Sequence, residues 1–375
     1  MDKQNKFYNI ELLRFLFSLI IVLGHMVLFY LIPIDKEAFT GYKVPWNATL
    51  TIVDAFFVIS GFFLFNSVEN KRNLSVLKFV RGKIARLWPV FAFSIFVFYI
   101  LSIMKLVSFS ISDSILNLCF LQCSGLTLKL SSSGYSWYIS SLFWVSLFYF
   151  YILTFFQRKN SNLIVALCTY FSYVLVLHEN KGNLGAHISP VMANFFIPGI
   201  LRALGGMGIG YFVGVFYKKI ENKGLLTKNT SFLVRIIFST LEFVLFIFLM
   251  QCYLIKTVQG CSNSLFYILI FVVLFFLFLI RKGAWSQILN WEGFAFFGKY
   301  AFSIYIMQQP VFIILKEYLW TKDFVSEHTF LSVLVGVICC IIAGIITHHI
   351  IEVPGKKIML KILEKNESLG VCDEE

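Results

Sequence analysis

Three ionisable residues interrupt an apolar run of membrane length, residues 9–29 (NIELLRFLFSLIIVLGHMVLF): Glu11, Arg14 and His25. At about 100° per residue, the eleven-residue step from Arg14 to His25 returns to within ~20° of the same helix face. Glu11 falls about 40° off that line. At ~1.5 Å per residue, Arg14 and His25 stand roughly 16 Å apart, about half the hydrocarbon thickness of a bilayer. One face of one helix thus carries a cation near one membrane surface and an imidazole much deeper. Ionisable groups are expensive in lipid, so this stripe must face protein or water, and such residues are functional candidates. The plainer reading is a buried polar contact that orients the first helix.

The helices that position this stripe begin with the second apolar run, which holds Asp54 in DAFFVISGFF. If the second span descends from the side the first one reaches, Asp54 and His25 lie at similar depth on neighbouring helices. A carboxylate bonded to an imidazole fixes its tautomer and raises its basicity, which suits a general base; a structural buried pair is the alternative. The next segment is the most basic in the chain and ends in Arg81, Lys83, Arg86 and Pro89. Such a cluster either sets topology and touches anionic lipid or holds the phosphates of a nucleotide-like donor. Arg202 is another cation inside an apolar run, followed by Gly206, Gly210 and Gly214, a spacing that marks close helix packing. Glu242 is an isolated intramembrane carboxylate, read as paired with a cation such as Arg202 or as protonated. Tyr135 and Trp137 open the fourth span and read equally well as an aromatic belt. His348 and His349 point apart on a helix and suggest no metal site.

The composition calls for a membrane protein. Of 375 residues, 58% are hydrophobic and only 14% charged, with 44 Phe and a mean hydropathy of +0.80, whereas soluble domains carry about a quarter charged residues. The pattern predicts an all-α polytopic bundle of about ten spans, near 10–33, 47–66, 87–107, 135–157, 163–178, 195–217, 232–255, 263–280, 294–316 and 330–351. The chain reads as one domain, with a short tail from about residue 355. Between the third and fourth spans, ILNLCFLQC suggests a short interfacial piece. With the N-terminus in the cytoplasm, 20 of the 32 Lys and Arg fall in cytoplasmic segments and seven in outer loops, which places both termini inside. The net charge of +12 is therefore a topology signal, and nucleic-acid binding loses its support. The eight cysteines show no metal spacing, and most sit in apolar runs where free cysteine behaves as a small hydrophobe. Cys119, Cys123, Cys252 and Cys261 are the candidates for a disulfide, which is not expected to form. Glu11 and Arg14 interrupt the early apolar run and no small-residue cleavage site follows, so an uncleaved first span is expected.

In order along the chain, Arg14 and His25, DAFFVISGFFLF, a basic run ending RLWP, SWYISSLF, Arg202 with its glycines, GKYAFSIYIMQQPV and Glu352-x-Pro354 resemble the acyltransferase-3 family of membrane acyltransferases. The resemblance spans essentially the whole chain. It implies a polytopic enzyme that moves an acyl group, commonly acetyl from cytoplasmic acetyl-CoA, onto sugar hydroxyls of surface polysaccharides or their lipid-linked precursors. The family's motif residues carry over onto Arg14, His25, Asp54, Phe57, Ser60, Gly61, Arg86 and Pro89. Three positions depart from its pattern: Lys83 stands for the earlier of two arginines, Leu142 for a glutamate, and Gln308 for a histidine.

On that resemblance His25, oriented by Asp54, is the general base or transient acyl carrier. Arg14 guides the donor, Arg81, Lys83 and Arg86 hold coenzyme phosphates, and Ser60, Trp137, Arg202 and Glu242 support substrate or structure. Acyl-CoA is a co-substrate rather than a resident cofactor, the acceptor is a carbohydrate, and the site is the bacterial cytoplasmic membrane. The rival reading is a polytopic transporter or flippase using the same buried charges, for which internal repeats would be the sign. A catalytically silent subunit is a third.

Overall fold

The computed structural model describes residues 6–40, 49–70, 75–122, 136–184, 197–226, 230–255 and 264–370. A helix stands at each of the ten expected positions: α1 (Tyr8–Met26), α2 (Thr51–Asn70), α3 (Val76–Ile103), α4 (Trp137–Phe155), α5 (Arg158–Glu179), α6 (Pro198–Asn222), α7 (Phe232–Leu254), α8 (Ser264–Ile280), α9 (Ala301–Tyr318) and α10 (Thr329–Thr347). No strand occurs among the described residues. Eight helical stretches are long and apolar enough to cross a membrane; α8 is apolar but shorter, and α9 is not among the eight. α7 turns Phe232, Leu233, Phe243 and Val244 outward, as a helix facing hydrocarbon does. The protein is an all-α membrane bundle.

Two elements differ from the sequence reading. α3 begins eleven residues before the expected third span, because the Ser75 side chain accepts the Lys78 amide proton at 3.2 Å and caps the helix. Hydropathy stops at the charges of the basic run, but the helix does not. The basic run is therefore helical rather than a loop, and Lys83 and Arg86 fall one turn apart on one face. The expected tail beyond residue 355 is likewise a helix, α11 (Val353–Gly370). It is joined to α10 by a π-helical turn, His348–Glu352, and Gly355 lies against the Pro89 ring of α3. A short helix, Ile111–Leu118, occupies the segment expected to hold an interfacial piece.

The bundle is tightest between α2 and α6. A Cβ added at Gly61 would collide with the Met207 carbonyl oxygen, and one added at Gly210 with that of Val58. Only glycine permits that backbone approach, as the small-residue spacing implied. Around this pair a core of Phe17, Phe57, Phe62, Phe271 and Phe275 joins α1, α2, α6 and α8. A second core (Met26, Leu31, Ile304, Phe312, Trp320, Cys340) holds the far half of α1 against α9 and α10. α1 thus runs through both cores, with Arg14 at the level of the first and His25 at the level of the second. Just beyond His25 the helix widens into a π-helical turn, Val27–Leu31, a feature that recurs at functional sites. Cys119 is a free thiol; Cys123, Cys261 and Tyr135 lie outside the described residues.

Candidate active site

A cleft of about 410 Å³ opens between α1, α2, α3, α4 and α9, within the usual size of small-ligand cavities, about 300–1,000 Å³. Its polar lining is Glu11, Arg14, Ser60, Ser67, Lys83, Arg86 and Tyr138; its apolar wall includes Phe56, Phe63, Phe79, Leu142 and Phe302. Arg14 Nη1 donates to both oxygens of Glu11 at 3.0 and 2.9 Å, one turn back on the same helix. Arg86 is exposed to the cleft and lies within electrostatic reach of Arg14, Glu11 and Glu352. Lys83 Nζ donates to Ser146 Oγ at 3.1 Å and stands 5.3 Å from the Phe79 ring centroid. Arg81, two residues from Lys83 and hence about 200° around the helix, does not line the cleft. The expected phosphate-binding trio is brought together only as Lys83 and Arg86.

Tyr138 lines the cleft. It is hydrogen-bonded to Ser60 and packs edge-on against Tyr305, centroids 5.7 Å apart. One turn along α9 from Tyr305, Gln308 Oε1 lies 3.2 Å from His25 Nδ1. His25 is half-buried and does not line the cleft. The order from cleft to imidazole is Tyr138, Tyr305, Gln308, His25. Tyr138 and Tyr305 were missed at the sequence level. Their signal was weak, because each adjoins a run of other aromatics and neither spacing singles it out.

Asp54 has other partners than the expected imidazole. Arg202 donates to its Oδ2 from Nη2 at 2.6 Å and from Nε at 3.2 Å, and the Tyr173 hydroxyl donates to Oδ1 at 3.2 Å. Both Asp54 and Arg202 are fully buried. Arg202 also donates to the Leu184 and Leu50 carbonyl oxygens, at 3.0 and 2.9 Å, and its guanidinium lies 5.0 Å from the Trp137 ring centroid. Asp54, Arg202, Trp137 and Tyr173 therefore form a buried ion-pair network that ties α2, α4, α5 and α6 together. Glu242 joins neither this network nor the cleft. Its Oε2 accepts the Ser286 amide proton at 3.0 Å, so it caps the short helix Ala284–Ile288.

A match to a family described as an acyltransferase domain covers residues 7–349. The chain belongs to the acyltransferase-3 family. No curated protein and no solved structure matches it. As an acyltransferase the protein has a polar cleft lined by Arg14, one of the two first-span residues that the family motif contains. Near that cavity Glu352 accepts from Ser303 Oγ at 2.6 Å and lies 2.9 Å from His348 Nδ1. Two of the family departures also line or approach the path: Leu142 adds an apolar wall to the cleft, and Gln308 contacts the imidazole.

Proposed function

We propose that this acyltransferase moves an acyl group, most simply acetyl, from a cytoplasmic acyl-CoA to a hydroxyl of a surface polysaccharide or its lipid-linked precursor. The observation that carries this reading is one cleft that combines Lys83, Arg86 and Arg14 with a Phe-rich wall and leads towards His25. The Lys and Arg distribution favours a cytoplasmic position for the cleft's cationic end, where charged acyl-CoA would be supplied, and a bacterial inner membrane is the setting this reading takes. Arginine's planar fork and the Lys83 ammonium suit phosphates. The apolar wall suits a pantetheine arm and its thioester. The acceptor hydroxyl gives its proton to His25 while its oxygen attacks the thioester carbonyl carbon; the C–S bond breaks and the coenzyme leaves as the thiol.

Purified protein supplied with acetyl-CoA should release free coenzyme, and cells lacking the protein should lose acyl groups from their surface glycan. A transporter would release no coenzyme. Absence of release together with unchanged glycan acylation would defeat the reading.

A further inference from the structure

Gln308 is fully buried on α9, and its amide is oriented by a neighbour that admits one arrangement. Gln308 Nε2 donates to the Tyr305 carbonyl oxygen at 2.8 Å. A carbonyl oxygen only accepts, so the amide nitrogen must face Tyr305 and Oε1 must face the other way. That oxygen lies 3.2 Å from His25 Nδ1. An amide oxygen carries no proton, so the bond forms only if Nδ1 carries it. A neutral imidazole protonated at Nδ1 carries its basic lone pair at Nε2.

We propose that Gln308 is the positioning residue of this acyltransferase: it holds His25 as the Nδ1–H tautomer and leaves Nε2 as the nitrogen that takes the acceptor's proton. This rests on the reading of His25 as base, and deepens it. The usual device for orienting such an imidazole is a carboxylate. Here the carboxylate expected from the sequence, Asp54, is committed to Arg202 and Tyr173, and a neutral amide takes the task. A neutral partner fixes the tautomer without placing a full negative charge beside the ring.

The test uses the full-length protein in lipid, labelled with ¹⁵N-histidine, at mildly alkaline pH where an unperturbed imidazole is neutral. The chain has six histidines, so the His25 signals are those lost in His25→Ala. The expected spectrum has a protonated Nδ1 and an unprotonated Nε2 at His25, and Gln308→Met, which keeps shape but offers no oxygen, mixes the two tautomers. In acyl transfer, Gln308→Met should lower kcat about ten- to a hundredfold, the usual cost of losing an imidazole's orienting partner, with donor KM within about twofold. Gln308→Glu, which restores an acceptor oxygen at the same reach, should recover most of the loss. An Nε2–H tautomer in the wild type, or an unchanged spectrum and kcat in folded Gln308→Met, overturns the proposal. The spectrum needs no turnover, so it separates failure here from failure of the catalytic reading. The latter would show as His25→Ala transferring acyl groups at the wild-type rate.

Discussion

Arg202 Nη2 lies 2.6 Å from Asp54 Oδ2, and both side chains are completely buried. The pair joins α2 to α6 at the height where Gly206 packs against Phe57, so the closest helix–helix contact and the buried ion pair reinforce one another. Removing one partner of such a pair strands a charge and costs about 3–5 kcal/mol. Asp54→Ala is therefore expected to lower the thermal unfolding temperature of the detergent-solubilised protein sharply and to cut the amount inserted. Asp54→Asn, which keeps two acceptor–donor contacts without the charge, should fall between. A thermally normal Asp54→Ala protein with abolished transfer would return Asp54 to the chemistry.

Much of this was legible in the sequence. Each of the ten apolar windows holds a helix, although only eight helical stretches among the described residues are long and apolar enough to cross a membrane. What stayed hidden depends on contacts that no local spacing encodes. Asp54 chose Arg202, 148 residues away, because a guanidinium with five donors can satisfy a buried carboxylate and two carbonyls at once. Gln308 read only as a departure from a family pattern, since its meaning lies in the carbonyl one turn back and the imidazole 283 residues distant. The early start of α3 was masked by its charges, which lower hydropathy without breaking a helix. Arg81 was grouped with Lys83 and Arg86 by sequence proximity, and helical geometry separates it.

Arg86 is exposed to the cleft with its charge turned towards the space a donor would fill. Arg86→Ala should raise the donor KM roughly ten- to a hundredfold, the value of one charge-assisted contact, and leave the acceptor KM nearly unchanged. Folding should be unaffected. Donor kinetics identical to the wild type would reassign the residue to topology or lipid contact.

Gly210 tests the packing that carries the site. A valine there would drive Cβ into the Val58 carbonyl oxygen and to 2.9 Å from the Phe62 amide nitrogen. Neither backbone atom can yield without separating α2 from α6. Gly210→Val should therefore lose folded, monodisperse protein in size-exclusion profiles. Gly82, where an added Cβ meets nothing within 4 Å, supplies the control: Gly82→Ala should be tolerated.

Tyr138 lines the cleft and packs edge to face against Tyr305, one turn along α9 from Gln308, so an acyl group moving from the cleft towards His25 is expected to pass these rings. Tyr138→Trp, which adds bulk to the cleft lining, should slow transfer from long acyl donors more than from acetyl-CoA. Equal slowing for all donors would place the passage elsewhere.

His25 decides the mechanism. If its imidazole is the base, His25→Ala should reduce acyl transfer by at least ~10²-fold, the usual contribution of general acid–base catalysis. That variant has one structural complication: Gln308, fully buried, would keep an oxygen facing an empty space, at a cost of about 1–3 kcal/mol. His25→Asn removes it, because the asparagine amide nitrogen can stand near the position of Nδ1 and donate to the same oxygen, while no basic nitrogen remains. The two variants should therefore differ in thermal stability but share the same loss of transfer. Rates measured beside unfolding curves check both halves of the expectation. A folded His25→Asn protein that acylates glycan at the wild-type rate would make the imidazole a structural donor to Gln308, and the proton acceptor would have to be sought among the polar residues of the cleft, Glu11 first.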